Sequence, residues 1–491
     1  LFFAMLTPRQ ALLVLPGEAA LLNEAGTALV AVDPAAALCW FARAARRSPD
    51  QPEPWANLSA ALLAQSQIDA AFDAARRAQI LAPGTAESWN NLGNTLFELR
   101  VYDLAIEAFG RARRLHPLFA DACLNEGGLR LDLGEADEGA RLSRLAAAIA
   151  PDLPGAWNNL GNGLLLGGRL AESATAFDHA VTLAPADAQI RFNSAAPLLK
   201  MGRYQEGWRA YEARRQTPAA LIRRRAFDPP DWPGGDPTGK TLLLSTEQGY
   251  GDALQFCRYA VWMAEQGARV VIRTERPLVR LLRSLPGVAD VISLDEPPPP
   301  FDFHVPLMSL PALAGETPVT VPYLSAEPSA AAEWRRRLSA VPGLKIGLAW
   351  SGNPRPGQRA AHLLDRRRSL SPDHFASLAE IPGVTLVSLQ KEGDPGGLPI
   401  IDWTGELSDF ADSAALVEAL DVIVSVDTAV AHLAGALGRP VCILSRFDGC
   451  WRWLQGRDDT IWYPTARLFR QPAPGDWRSP LDALHKYIVT L

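Results

Sequence analysis

Ala156-Trp157-Asn158-Asn159-Leu160-Gly161-Asn162 is one copy of a pattern that fills the first half of the chain. Moving from Asn159 in steps of 34 residues meets Asn125, Asn91, Asn57 and Asn23 on one side and Asn193 on the other. Pro49, Pro83, Pro117, Pro151 and Pro185 keep the same step. With the proline at position 32, units fall near 18–51, 52–85, 86–119, 120–153, 154–187 and 188–221. Trp55, Trp89 and Trp157 share position 4, with Cys123 and Arg191 replacing the tryptophan elsewhere. Phe41, Phe109, Phe177 and Tyr211 share position 24, where Ala75 and Ser143 are the weaker members. Ala25, Ser59, Gly93, Gly127, Gly161 and Ala195 share position 8, and Ala44, Ala78, Ala112, Ala146 and Ala180 share position 27. Small residues at two fixed phases predict two helices per unit that approach closely. One such unit cannot bury its own apolar face, so the units must stack.

The period and the segment 156–162 resemble the tetratricopeptide repeat and its first-helix consensus. That resemblance implies an all-α solenoid over residues 1–221, with the first helix of each hairpin on a concave face suited to an extended peptide. Asn23, Asn57, Asn91, Asn125, Asn159 and Asn193 then form a ladder of amides. Each amide offers donor and acceptor, so the ladder can grip a peptide backbone of a protein acceptor whatever its side chains. The alternative is that these asparagines bond neighbouring repeats to one another. Asn94 and Asn162, both at position 9, favour gripping.

At 491 residues and 48% hydrophobic content the chain has room for several cores. A net charge of -6 leaves no basic stripe to neutralise phosphate backbones, which argues against nucleic acid as a partner. Cys39, Cys123, Cys257, Cys442 and Cys450 are scattered, without the spacing of a zinc site, and read as reduced thiols of a cytoplasmic protein. The apolar run 1–6 is too short to span a bilayer and lacks a basic flank, and Met5 offers a start; no later run is long enough for a transmembrane segment. The oligomeric state is open, although a solenoid can form a homo-oligomer through its N-terminal repeats.

Residues 222–239 are rich in proline and glycine, including Asp228-Pro229-Pro230-Asp231-Trp232-Pro233-Gly234-Gly235-Asp236-Pro237, and read as a linker. Beyond it strands alternate with helices. Strands are expected at 241–245, 269–274, 288–294 and 302–306, with helices at 253–266 and 277–285. A second series places strands at 345–350, 384–389, 422–426 and 441–444, with helices around 375–380, 410–420 and 429–437. Such alternation implies parallel sheets covered by helices. We divide it into two Rossmann-like α/β domains, 240–328 and 329–491, with ligands expected at the carboxyl ends of the strands and in the cleft between the domains.

Two loops carry candidate chemistry. In Glu247-Gln248-Gly249-Tyr250-Gly251-Asp252, Gly249 and Gly251 let backbone approach a ligand, while Asp252 either caps the following helix or points into the cleft. In Ser425-Val426-Asp427-Thr428-Ala429-Val430-Ala431-His432 a strand gives way to a helix whose free N–H groups favour an anion. Thr428 caps that helix or bonds a phosphate oxygen. His432, one turn on, faces the same anion or is satisfied within the packing.

Together with Lys345-Ile346-Gly347-Leu348-Ala349-Trp350-Ser351-Gly352-Asn353-Pro354, Arg366-Arg367-Arg368-Ser369-Leu370, Ser388-Leu389-Gln390 and Leu433-Ala434-Gly435-Ala436-Leu437-Gly438-Arg439-Pro440-Val441, these loops resemble the heptosyltransferase-like glycosyltransferases of GT-B fold. The resemblance covers most of 240–491. Joined to the repeats, the layout is similar to bacterial protein glycosyltransferases, such as those that modify flagellin, and in architecture to O-GlcNAc transferase. It implies that Asp252 is the general base. It also implies that Asp427, Thr428 and His432 bind the nucleotide-sugar donor, that Ser351, Gly352 and Asn353 line the cleft, that Arg368 neutralises the leaving phosphate and that Gln390 touches the nucleotide. Trp451-Arg452-Trp453 resembles a longer Asp-Trp-Arg-Trp form in which Cys450 takes the place of the aspartate. Its tryptophans stack on a base or sugar, or belong to the core.

No Asp-x-Asp motif stands at a strand end, so the expected chemistry is metal-independent and needs no cofactor. The resemblance further implies inversion at the anomeric carbon. The leading expectation is transfer of a sugar to Ser or Thr of a protein held by the repeats. Transfer to a glycan or lipopolysaccharide core is a second reading, and an inactive interaction scaffold a third.

Overall fold

The computed structural model describes residues 19–217, 229–314 and 321–491. The run 1–6, the start of the first repeat and the first half of the linker lie outside the described residues. Two compact units divide the chain: Leu1–Gly167 with Thr175–Pro185, and Gly168–Ala174 with Ala186–Leu491.

The first unit is built of helical hairpins. They are α1 (Ala19–Leu29) with α2 (Pro34–Arg47), α3 (Pro52–Ala64) with α4 (Ile68–Leu81), α5 (Ala86–Glu98) with α6 (Tyr102–Leu115), and α7 (Ala120–Asp132) with α8 (Ala136–Ile149). Helix α9 (Pro154–Leu166) opens the fifth hairpin, and of the following α10 (Leu170–Leu183) the part from Thr175 onward belongs to this unit. The period acts through three recurring devices. The indoles of Trp55, Trp89 and Trp157 donate to the carbonyls of Pro49, Pro83 and Pro151 at 3.2, 2.8 and 2.9 Å, which ties each hairpin to the turn before it. The position-27 alanines are fully buried, and the Phe109 ring lies so close to Gly93 that a Cβ there would come within 2.5 Å of it. The first helix of the second to fourth hairpins ends in a left-handed residue at one phase: Ser66, Arg100 and Gly134. There the next N–H reaches the carbonyl five residues back, as in Gln67 to Leu62 at 2.9 Å and Glu135 to Arg130 at 2.8 Å, which stops the helix and reverses the chain.

The second unit contains the sixth hairpin, α11 (Ala188–Lys200) and α12 (Tyr204–Tyr211), and two all-parallel sheets. The smaller sheet comprises β1 (Thr241–Ser245), β2 (Arg269–Thr274), β3 (Val288–Ser293) and β4 (Phe303–Pro306) in the order β3-β2-β1-β4. The larger comprises β5 (Leu344–Ala349), β6 (Val384–Ser388), β7 (Ile400–Ile401), β8 (Val422–Val426), β9 (Val441–Ser445) and β10 (Ala466–Arg470) in the order β10-β9-β8-β5-β6-β7. Counted from β5, that is the order of a doubly wound sheet, whose direction of winding reverses between β5 and β8. Strands β8 and β9 are buried at every residue, which is why they read as unbroken apolar runs.

The connections position the site. After β1 come α13 (Tyr250–Phe256) and α14 (Arg258–Glu265). The single helix expected over 253–266 is therefore split at Cys257 and begins three residues earlier. Helices α15 (Arg276–Leu282), α16 (Leu310–Ala314) and α17 (Pro328–Leu338) follow. In the larger sheet α18 (Arg359–Arg368), α19 (Ala376–Ala379), α20 (Phe410–Ala419), α21 (Ala429–Ala436) and the C-terminal α22 (Arg478–Val489) cover the strands. Leu199, Trp208 and Tyr211 of the sixth hairpin share one apolar core with Phe256, Tyr259, Trp453 and Trp462. The last repeat is thus built into the sheet-bearing unit.

Candidate functional site at the carboxyl ends of two parallel sheets

Strand β1 delivers the chain into the glycine loop, and Gly249 caps α13. The Asp252 carboxylate closes a capping box: its Oδ2 accepts the Gly249 N–H at 3.0 Å. Its Oδ1 accepts from the guanidinium of Arg452. Asp252 therefore both caps its helix and reaches a residue of the turn after β9. Gly251 has no room for a side chain, since a Cβ would lie 2.8 Å from the His432 ring and 3.7 Å from the Cα of Ala429. The glycine loop and the N-terminal turn of α21 are in direct contact.

Thr428 is the N-cap of α21, its Oγ1 accepting from Val430 N at 3.3 Å and lying 2.9 Å from the Ser425 hydroxyl. His432 is buried, with Nδ1 2.8 Å from the Tyr463 hydroxyl and its ring stacked on Trp453. Burial, and then the charges of Arg452, Arg258 and Arg368, hold its pKa well below the ordinary histidine value, so the imidazole is neutral. Gly435 lets Tyr463 lie against α21, since a Cβ would meet that ring at 2.4 Å.

The loop after β5 supplies the third side. Arg368, at the end of α18, is paired with Asp365 at 2.8 Å and donates to the backbone carbonyl of Asp427 at 3.0 Å. Gly352 lies over this pair, where a Cβ would come within 2.2 Å of both partners. The Gly352 N–H donates to the Ser369 hydroxyl at 3.1 Å. Gln390 is buried; its Oε1 accepts from Trp350 N and Ser351 N at 3.1 and 3.0 Å, and its Nε2 donates to the Glu392 carbonyl at 2.9 Å. Both ends of that amide are thus committed to shaping the loop. Asn353 is exposed and accepts from Arg355 N at 3.1 Å in a local turn. Gly249, Gly251, Asp252, Gly352, Arg368, Asp427, Thr428 and His432 accordingly gather round the start of α21.

The asparagine ladder is half-buried along its length. Asn57 donates to the Asn23 carbonyl oxygen at 2.9 Å, Asn125 to that of Asn90 at 3.1 Å, and Asn159 to the Leu124 backbone at 3.4 Å. Asn193 accepts from Gln189 at 2.8 Å. Some of these amides thus join neighbouring repeats.

Two sets of contacts escaped the sequence reading. Arg452, read there only as the middle of Trp451-Arg452-Trp453, is buried between elements that the sequence keeps far apart. Arg214 is buried too, and joins Glu212, Glu247 and Ser309 at 2.5, 2.6 and 2.9 Å. With the Tyr211 hydroxyl donating to Gln248 at 3.0 Å, it fastens the glycine loop to the end of the sixth hairpin. The signal available was the change of helix phase near 211–215, where regular repeat residues give way to adjacent arginines.

Among the described residues no helix is long and apolar enough to cross a membrane. A family model described as Tetratricopeptide repeat matches residues 86–115, the third hairpin. The chain is 29% identical over 373 residues to Protein FlbA of Caulobacter vibrioides, an alignment spanning 67% of this chain and 60% of FlbA. Among solved structures it is similar to TTC0263, a thermophilic TPR protein of Thermus thermophilus, at 25% identity and TM-score 0.34, covering 37% of this chain and 99% of that one. It is similar also to YrrB, described as a TPR protein with an unusual peptide-binding site, at 17% identity and TM-score 0.29, covering 38% and 96%. The chain thus carries a tetratricopeptide repeat at residues 86–115, within a run of helical hairpins that is followed by a region of parallel sheets.

Proposed function

We propose that the chain is an inverting, metal-independent glycosyltransferase of GT-B architecture that moves a sugar from a nucleotide-sugar donor to Ser or Thr of a protein held by the repeats. One observation carries the reading. Asp252, a carboxylate after β1 held by Arg452, follows Gly251, which abuts α21, and the anion-favouring start of α21 adjoins Arg368 at the switch point of a doubly wound sheet. The acceptor hydroxyl gives its proton to Asp252 as its oxygen attacks the anomeric carbon. The bond from that carbon to the leaving phosphate oxygen breaks, and the departing charge meets the N–H groups of α21 and Arg368. Neutral His432 adds no competing charge. The repeats support a protein-interaction role, in which amide positions not engaged between repeats hold the acceptor backbone; flagellin is a candidate acceptor.

The test is mass spectrometry of cellular proteins from cells carrying the wild type or Asp252→Ala. A sugar mass on Ser or Thr peptides with the wild type, lost in the variant, is the expected result. Absence of any adduct with the wild type, accompanied by a shortened lipopolysaccharide in the variant, would move the reaction to glycan assembly. No change in either would leave the repeats as an interaction scaffold.

A further inference from the structure

We infer that Arg452 is the positioning residue for Asp252: a buried guanidinium that keeps this carboxylate in place and ties the glycine loop to the turn after β9. The inference rests on the transfer reading above. Every nitrogen of the guanidinium has a partner. One terminal nitrogen donates to Asp252 Oδ1, Nε donates to the Gln255 side-chain carbonyl, and the other terminal nitrogen lies 3.0 Å from Cys450 Sγ. The plane rests on Trp451, its central carbon 4.3 Å from the ring centre. The side chains of Arg452 and Asp252 are only 10% and 22% exposed, and Asp252 is the carboxylate bonded to Arg452. With Gly249 N–H on Oδ2 and Arg452 on Oδ1, the carboxylate cannot rotate, yet each oxygen keeps a lone pair for an incoming hydroxyl. Asp252 and Gln255 stand on one helix and are both held by one side chain, so the whole start of α13 is fixed relative to the 451–453 turn.

This role is separable from simple support of the fold. A positioning residue acts on the transfer step, so its loss lowers kcat and leaves the donor KM in place. The experiment uses the full chain with a panel of UDP-, GDP-, ADP- and CMP-linked sugars and measures nucleotide release with and without acceptor protein. Arg452→Gln is expected to lower kcat by about 100-fold at a donor KM within about three-fold of wild type, and Arg452→Lys to recover at least about ten-fold of that loss. Gln255→Leu takes away the carbonyl that holds Arg452 Nε and changes no charge, so it keeps the test decisive where Arg452→Gln fails to fold. Its kcat is expected to fall about ten-fold, again at constant donor KM. An Arg452→Gln or Gln255→Leu enzyme with wild-type kcat overturns the inference, as does a loss confined to donor KM. A wild type that transfers nothing from any donor overturns the transfer reading itself.

Discussion

Lys200 ends α11 with only 4% of its surface exposed, and burial lowers its pKa from 10.5 to about 8. The nearby Asp448 opposes that shift, while Arg446 and Arg470 add to it. A lysine whose folded pKa lies below its unfolded value destabilises the fold while charged. Between about pH 8 and pH 10.5 the unfolded chain binds the extra proton, so stability rises with pH across that window. Lys200→Met is therefore expected to be more stable than wild type at pH 7 by up to about 3 kcal/mol, an advantage that shrinks towards pH 10. Thermal melts at the two pH values check it; an advantage that grows with pH would contradict it. The two loop glycines make a sharper contrast. Gly249 is in extended backbone, and a Cβ there would meet nothing closer than 3.5 Å, whereas at Gly251 it would press on a His432 ring wedged between Trp453 and Tyr463. Gly249→Ala should cost under about 0.5 kcal/mol, and Gly251→Ala about 1–3 kcal/mol. Denaturant melts of the two variants measure this, and equal losses would show that the contact with α21 is loose.

The second to sixth repeats each depend on a short stop signal between their helices. Gly134, Gly168 and Gly202 fill the left-handed position that Ser66 and Arg100 fill in the second and third repeats. At that conformation a side chain costs about 1 kcal/mol. Ser66→Gly should raise stability by about 0.5–1 kcal/mol, and Gly202→Ala, where a Cβ meets no atom, should lower it by about 1 kcal/mol through backbone strain alone. Chemical denaturation reads both, and a stabilising Gly202→Ala would refute the account. The repeat helices could be read from the sequence because each signal recurs at a fixed step: Trp89 and Phe109 mean little singly but much when Trp157 and Phe177 repeat them. The strands at 241–245 and 422–426 were equally plain, being apolar runs closed by glycine or by a helix start. Helix α18 was missed because Arg359–Arg368 carries four arginines and no apolar stripe, so only its tertiary setting makes it helical. Strand β7, two residues long, has too little sequence to carry a period. In the candidate site Asp252, Thr428 and His432 announced themselves through local motifs. Arg452 stood within the Trp451-Arg452-Trp453 motif, but its role did not show there, since its partner lies 200 positions away. The asparagines gave their spacing but not their bonds, because one amide period serves an inter-repeat bond or a bound peptide equally well.

At the scale of the molecule, the boundary of compactness falls inside the repeats rather than after them. A linker rich in proline and glycine at 222–239 suggests that all six hairpins fold apart from the sheets, yet the sixth belongs to the sheet-bearing unit. The reason is aromatic packing. Trp208 is 4% exposed and lies edge-on to Tyr211, Phe256 and Trp451 at 5.4, 5.7 and 5.0 Å, joining α12 to α13 and to the turn after β9. Phe109, by contrast, packs over Gly93 of its own hairpin, in a core shared with Leu96 and with Leu129 of the next hairpin. Each truncation to alanine removes a buried ring worth about 3–5 kcal/mol, but from a different cooperative unit. In amide hydrogen exchange, Trp208→Ala is expected to speed exchange in peptides covering 241–256 and to leave 52–149 as in wild type. Phe109→Ala is expected to do the reverse. Trp208→Ala that loosens the early repeats and spares β1 would place the sixth hairpin with the others. It would also remove the link through Tyr211 and Arg214 by which the last repeat holds the glycine loop.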